Sequence, residues 1–143
     1  MRLINRRQAR EEAFIILFQQ EFRDNLDEIL DDFLANHEKI GEQENYIRRI
    51  CERFISNKEK IDETIEKYSK NWKKDRISMV SLAILRLAIC EMLYFDDIPV
   101  LVSISEALEV SKKFEGEEAI PFVNGILEGV RAELDEASLG GES

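Results

Sequence analysis

One histidine, two cysteines, two prolines and one tryptophan are all that 143 residues contain of these types, and each scarcity excludes a chemistry. His37 has no Cys, Asp or Glu at a specific metal-ligand spacing, so the sequence offers no metal centre and the ring reads as a solvated surface group. Cys51 and Cys90 each fall on the apolar face of a predicted helix, where thiols behave as small buried hydrophobes, and neither is assigned a disulfide. There is no phosphate-cradling glycine loop, no nucleophile elbow and no Cys-x-x-Cys pair. The acid pairs Asp31-Asp32, Asp96-Asp97 and Glu117-Glu118 read as solvated or capping groups in a chain this rich in carboxylates. No apolar run approaches a membrane span, and Met1 leads into arginines rather than a short apolar leader, so a soluble cytoplasmic chain is expected. No catalytic residue, metal or cofactor is therefore nominated, and binding is the class to develop.

What is present is helical periodicity and an uneven distribution of charge. The hydrophobic fraction is 44% and the charged fraction 35%, which excludes a disordered or fibrous chain. Of the net charge of −10, residues 1 to 76 carry −1 and residues 77 to 143 carry −9. A near-neutral half joined to a strongly acidic half suggests two surfaces with partners of opposite charge. Against this balance, Arg2, Arg6, Arg7 and Arg10 open the chain with no acid before Glu11. Asn5 followed by Gln8 has the spacing of a capping box, which puts Arg6 and Arg7 in a helical first turn. Cations there oppose the helix dipole by roughly 0.3 to 1 kcal/mol, so the arrangement suits an anion, phosphate above all, better than it suits helix stability.

Alternating strand patterns and Gly-Pro clusters are absent, and an all-α fold of about seven helices in two packed bundles is predicted. The first helix is expected from Arg6 to about Phe22, with Ala9, Ala13, Phe14, Ile16 and Leu17 inward. A second follows a cap at Asp24, a third carries Tyr46 to Ile55, and Ser56-Asn57 stops it before a fourth with Ile61, Ile65 and Tyr68. Residues 1–68 would form the N-terminal bundle. A basic junction around Trp72 at 69–77 would lead into a C-terminal bundle at 78–137 and a frayed tail at 138–143. The stretch from Ile77 to Phe95 is apolar on more than one face and should be a surrounded spine, with Arg86 pairing with Glu91 or Glu106. Ser103 to Glu106 has capping-box spacing for the next helix, and Pro121 fits the first turn of the last. Gly125 and Gly129, each costing about 1 kcal/mol in a helix, imply close approach of another backbone, expected from the Ala83 to Ala88 region. Phe18 and Phe122 fit a core stripe and would equally supply stacking surfaces for single-stranded nucleic acid.

These residues together resemble a known family. The opening Arg6-Arg7-Gln8-Ala9-Arg10-Glu11 with Leu17-Phe18, the Ile84-Leu85-Arg86-Leu87-Ala88 spine with Glu91-Met92-Leu93, the Asp97-Ile98-Pro99 break, Ser105-Glu106-Ala107, and Phe122-Val123-Asn124-Gly125-Ile126-Leu127 are similar to the NusB family of bacterial transcription antitermination factors. The match covers nearly the whole chain in order and spacing.

The resemblance implies two packed helical bundles and a non-enzymatic role. The family binds the boxA element of nascent RNA together with NusE, a small-subunit ribosomal protein, within the RNA polymerase antitermination complex that transcribes ribosomal RNA. Carried over by position, Arg6, Arg7 and Arg10 would meet phosphates, with Arg2 completing the basic cluster, Phe18 and Phe122 near bases and Glu118 at the edge. Tyr68, Trp72, Asp75 and Ser81 would face NusE. The chain departs from the family's pattern at Gln8, Phe18, Ser105 and Ile120-Pro121, which implies weaker RNA affinity or heavier reliance on NusE. A protein-only adaptor, or a homodimer that hides the arginine surface, is the alternative.

Overall fold

The computed structural model describes residues 3–37, 40–69 and 77–140, and every regular element among them is helical. The six α-helices are α1 (Arg6–Gln20), α2 (Leu26–Ala35), α3 (Gln43–Ser69), α4 (Met79–Tyr94), α5 (Val100–Phe114) and α6 (Ile120–Gly140), with a 3-10 turn at Glu117–Ala119. α4 is the spine: it packs against α1, α3, α5 and α6, and every residue from Ser81 to Met92 is buried. A helix so enclosed gains from burial on all sides, about 1.5–3 kcal/mol for each large aliphatic side chain. Buried side chains of all six helices form one continuous cluster. All of the expected junction at 69–77 except its two end residues lies outside the described residues, and α6 runs to Gly140, into the stretch expected as a tail at 138–143.

α3 spans 27 residues but breaks into two helical segments at Asn57, where the sequence places a stop and restart. Its kink at Asn57 (φ −131°, ψ 19°) is bridged by the Asn57 side-chain amide, which donates to the Arg53 carbonyl at 2.8 Å and so satisfies an acceptor the bend would expose. α2 is capped by Asn25, not Asp24, because the Asp24 carboxylate accepts from the Gln20 amide instead. α5 starts three residues before the expected cap, since the Pro99 carbonyl accepts from Val102 and Ser103 at 3.0 and 3.2 Å. Ser103 and Glu106 thereby fall inside the helix, with their side chains free for other work.

Arg86 is 1% exposed, and its partners are Asp62 and Glu21 rather than Glu91 or Glu106. Burial alone would lower its pKa, yet the carboxylates of Asp62 and Glu21 outweigh it and hold the guanidinium charged. This pins α4 to α3 and to the end of α1. Gly129 also has a different neighbour from the one expected. A Cβ there would lie 2.5 Å from Tyr68 Cδ1 of α3, whereas one at Gly125 would meet nothing within 4 Å.

Candidate nucleic-acid interface

The start of α1 is built as its sequence suggests. Asn5 Oδ1 accepts from the Gln8 amide at 2.8 Å, and Gln8 Oε1 accepts from the Asn5 amide at 2.9 Å, a reciprocal capping box. Arg6 and Arg7 follow at once, with no acid in the first turn to offset them. Arg6 is half-buried: its Nε donates to Gln43 at 2.7 Å and its guanidinium lies 4.4 Å over the Tyr46 ring. Arg7 is outermost, with 64% of its side chain exposed. Its Nε and Nη2 donate to the two Glu106 oxygens at 3.1 and 3.0 Å. That side-on pairing uses one edge of a largely exposed guanidinium and does not engage its Nη1–Nη2 edge, the edge a phosphate or carboxylate takes in a fork. The Arg7 pKa is raised by the Glu106 hydrogen bond and charge.

Arg10, expected on the surface beside them, is turned inward. It is 6% exposed, and its Nε and Nη2 donate to Glu91 at 2.9 and 3.2 Å. Burial works against its charge, and Glu91 more than compensates. The Glu91 carboxylate also accepts from Ser103 Oγ at 2.9 Å and from the Tyr46 hydroxyl in a very short hydrogen bond. Burial is the main reason the Tyr46 pKa stands well above its usual value, with the Glu91 charge adding to it. One buried carboxylate thus gathers α1, α3 and α5 on α4.

From Arg7 a stripe runs along α1 through Glu11, Phe14 and Phe18, all within about a third of a turn of one another at 3.6 residues per turn, and Phe22 in the turn after α1 extends it. It looks onto α5. Arg7 meets Glu106, Glu11 meets Lys113, and the Phe14 and Phe114 rings lie 4.9 Å apart. Phe18 continues the aromatic line at 6.3 Å from Phe14 and 5.3 Å from Phe22. Phe18 is half-buried, while Phe22 and Phe114 are exposed. The sequence reading singles out neither Phe22 nor Phe114 as an exposed ring, because nothing in the apolar periodicity separates them from Phe14.

Past Phe114 the chain turns at Gly116, whose φ of +111° is a conformation that residues with a side chain rarely adopt. Beyond this turn Glu118, Phe122, Glu115 and Ser81 surround an open depression of about 300 Å³. Ser81 is buried, and its hydroxyl and that of Ser78 donate to Glu115. Ser81, expected on a protein-facing surface, therefore shares a depression with Glu118 and Phe122, expected on the RNA side. Tyr68 stands apart, half-buried over Gly129. Its pKa is raised by desolvation and then by Glu133. Arg2, Trp72 and Asp75 lie outside the described residues. His37 is on the surface, stacked 3.9 Å from the Phe33 ring. No helix among the described residues is long and apolar enough to cross a membrane, and among them no cluster of His, Cys, Asp or Glu is placed to hold a metal ion.

The order of these features along the chain matches a known pattern: the sequence model of the NusB family aligns with residues 7–132. The chain belongs to the NusB family. It is 48% identical over 138 residues to the transcription antitermination protein NusB of Natranaerobius thermophilus, an alignment covering 94% of this chain and 99% of that protein. The structure of T. maritima NusB superposes with a TM-score of 0.84 at 36% identity, covering 92% of this chain and 93% of that one. A chain from a crystal structure of antitermination factors NusB and NusE in complex with dsRNA has a TM-score of 0.72 at 24% identity, covering 87% and 94%, and shows the shared fold. Membership in the NusB family, whose curated relatives are transcription antitermination proteins, places the chain among antitermination factors.

Proposed function

We propose that this chain binds boxA-type single-stranded RNA together with the ribosomal protein NusE, as a cytoplasmic subunit of the RNA polymerase antitermination complex that supports ribosomal RNA transcription. The observation that carries this reading is the exposed Arg7 guanidinium at a capped, positively polarised helix start, on the same stripe as a line of aromatic rings. Phosphates engage Arg7 and Arg6, and Arg2 adds to the same cluster. Bases reach Phe18 and, beyond the Gly116 turn, Phe122, with Glu118 at the edge. Arg10 acts from beneath, holding α1 on α4 through Glu91. NusE is received by Tyr68, Trp72, Asp75 and Ser81, and the acidic second half of the chain suits a basic ribosomal protein. A NusB solved together with NusE and dsRNA supports NusE and RNA as classes of partner.

A protein-only adaptor draws on a different observation. Arg10 is committed wholly to a carboxylate, and Arg7 partly, which leaves less free positive charge than the sequence suggests. Gel shift of a boxA RNA by the purified chain, with and without NusE, separates the two. The RNA reading expects a shift that NusE strengthens and that Arg7→Glu abolishes. Equal binding of boxA and scrambled RNA, or an unchanged shift with Arg7→Glu, favours the adaptor.

A further inference from the structure

The facing stripes of α1 and α5 carry two ion pairs of crossed polarity. α1 supplies a cation at Arg7 and an acid one turn later at Glu11, while α5 supplies an acid at Glu106 and a cation two turns later at Lys113. Lys113 Nζ donates to both Glu11 oxygens, at 2.8 and 2.9 Å. In each pair the cation is the outer partner: Lys113 is 60% exposed against 24% for Glu11, and Arg7 64% against 16% for Glu106. The acids are set into the seam and the cations stand above it.

We infer that Lys113 is a second phosphate-binding residue of the RNA face, and that Glu11 is the internal acid a phosphate displaces. The inference rests on the reading that Arg7 receives RNA. Glu11 lies one turn beyond Arg7, about 6 Å along α1, and Lys113 lies two turns beyond Glu106, about 10 Å along α5, so the two cations follow one another along the same seam, as successive phosphate contacts on one strand require. Lys113 is also 5.5 Å from the Phe114 ring, which continues into the aromatic line through Phe14 and Phe18. A phosphate on Lys113 therefore places its nucleotide beside rings on which a base can stack. The ammonium has three donors, and the Glu11 carboxylate does not exhaust them. An ion pair this exposed adds little to stability, so exchanging its carboxylate for a phosphate costs the fold little.

Fluorescence anisotropy of a labelled single-stranded boxA RNA, titrated with the full chain at several salt concentrations, tests this. Lys113→Gln keeps the aliphatic stem, and is expected to weaken binding about fivefold, the effect of one charge contact in water. It should also flatten the dependence of log affinity on log salt by about 0.7. Glu11→Gln is expected to tighten binding by a similar factor, and the gain should vanish when Lys113→Gln is added. Melting curves of all three variants should match the parent. Unchanged affinity and slope in Lys113→Gln overturns the inference, as does a Glu11→Gln gain that persists without Lys113 or a loss of affinity in Glu11→Gln. Arg7→Glu separates the two levels: if it abolishes binding while Lys113→Gln does nothing, the RNA reading stands and this inference falls. If Arg7→Glu binds normally, the RNA reading itself fails.

Discussion

Arg10 of α1 and Glu91 of α4 form a buried, side-on ion pair at 2.9 and 3.2 Å, 81 positions apart in the chain. Two further donors, Tyr46 of α3 and Ser103 of α5, converge on the same carboxylate. Removing one member of such a group strands the others without partners in a low-dielectric interior. Glu91→Ala is accordingly expected to destabilise the chain by about 3–5 kcal/mol. Urea unfolding followed by circular dichroism measures it, and a loss under about 1 kcal/mol would show that the network relaxes or takes in water.

Arg7→Glu should behave in the opposite way. Its pair with Glu106 is on the surface, so urea unfolding should be nearly unchanged, whereas RNA affinity should fall by at least tenfold. Parallel loss of stability and binding would mean that Arg7 acts through the fold.

The two glycines of α6 are expected to differ. Gly129→Ala drives a methyl into the Tyr68 ring and should cost about 1–3 kcal/mol. Gly125→Ala meets open space in a helix and should be neutral or stabilising by up to about 1 kcal/mol. Thermal melts of the pair check this, and equal effects would contradict the placement of Tyr68 over Gly129.

Burial pushes the thiols of Cys51 and Cys90 up to about 12. In the unfolded chain each titrates at its ordinary value near 9. Because the folded pKa is raised, the folded state holds these protons longer, so stability is whole below pH 9 and is lost as pH rises from 9 towards 12. The difference in unfolding free energy between the parent and Cys51→Ala plus Cys90→Ala, followed from pH 8 to 11, should shrink as pH rises. Both thiols should resist thiol reagents in the native state, and prompt labelling would contradict their burial.

The capping box and apolar stripes were legible because both depend on residues a few positions apart. Asn5 with Gln8, Ala9 with Ala13 and Phe14, and the buried run of α4 all follow from that local spacing. The ion-pair partners were not. Nothing near Arg86 in sequence nominates Asp62 or Glu21, and nothing near Arg10 nominates Glu91, because helix packing selects them across 24, 65 and 81 positions. The same reason hid the inward turn of Arg10: four arginines within nine residues look alike until the neighbouring helices are in place. The early start of α5 was missed because the Ser103 to Glu106 spacing mimics a cap, while the Pro99 carbonyl makes the actual one.

The most direct test of the account maps the RNA onto the fold. Amide chemical shifts of the isotope-labelled chain, followed while single-stranded boxA RNA is added, should move at Arg6, Arg7, Phe18, Lys113, Glu118 and Phe122 and stay still along α2. Shifts confined to other surfaces, or none at concentrations that saturate binding, would contradict an RNA face on the seam between α1 and α5.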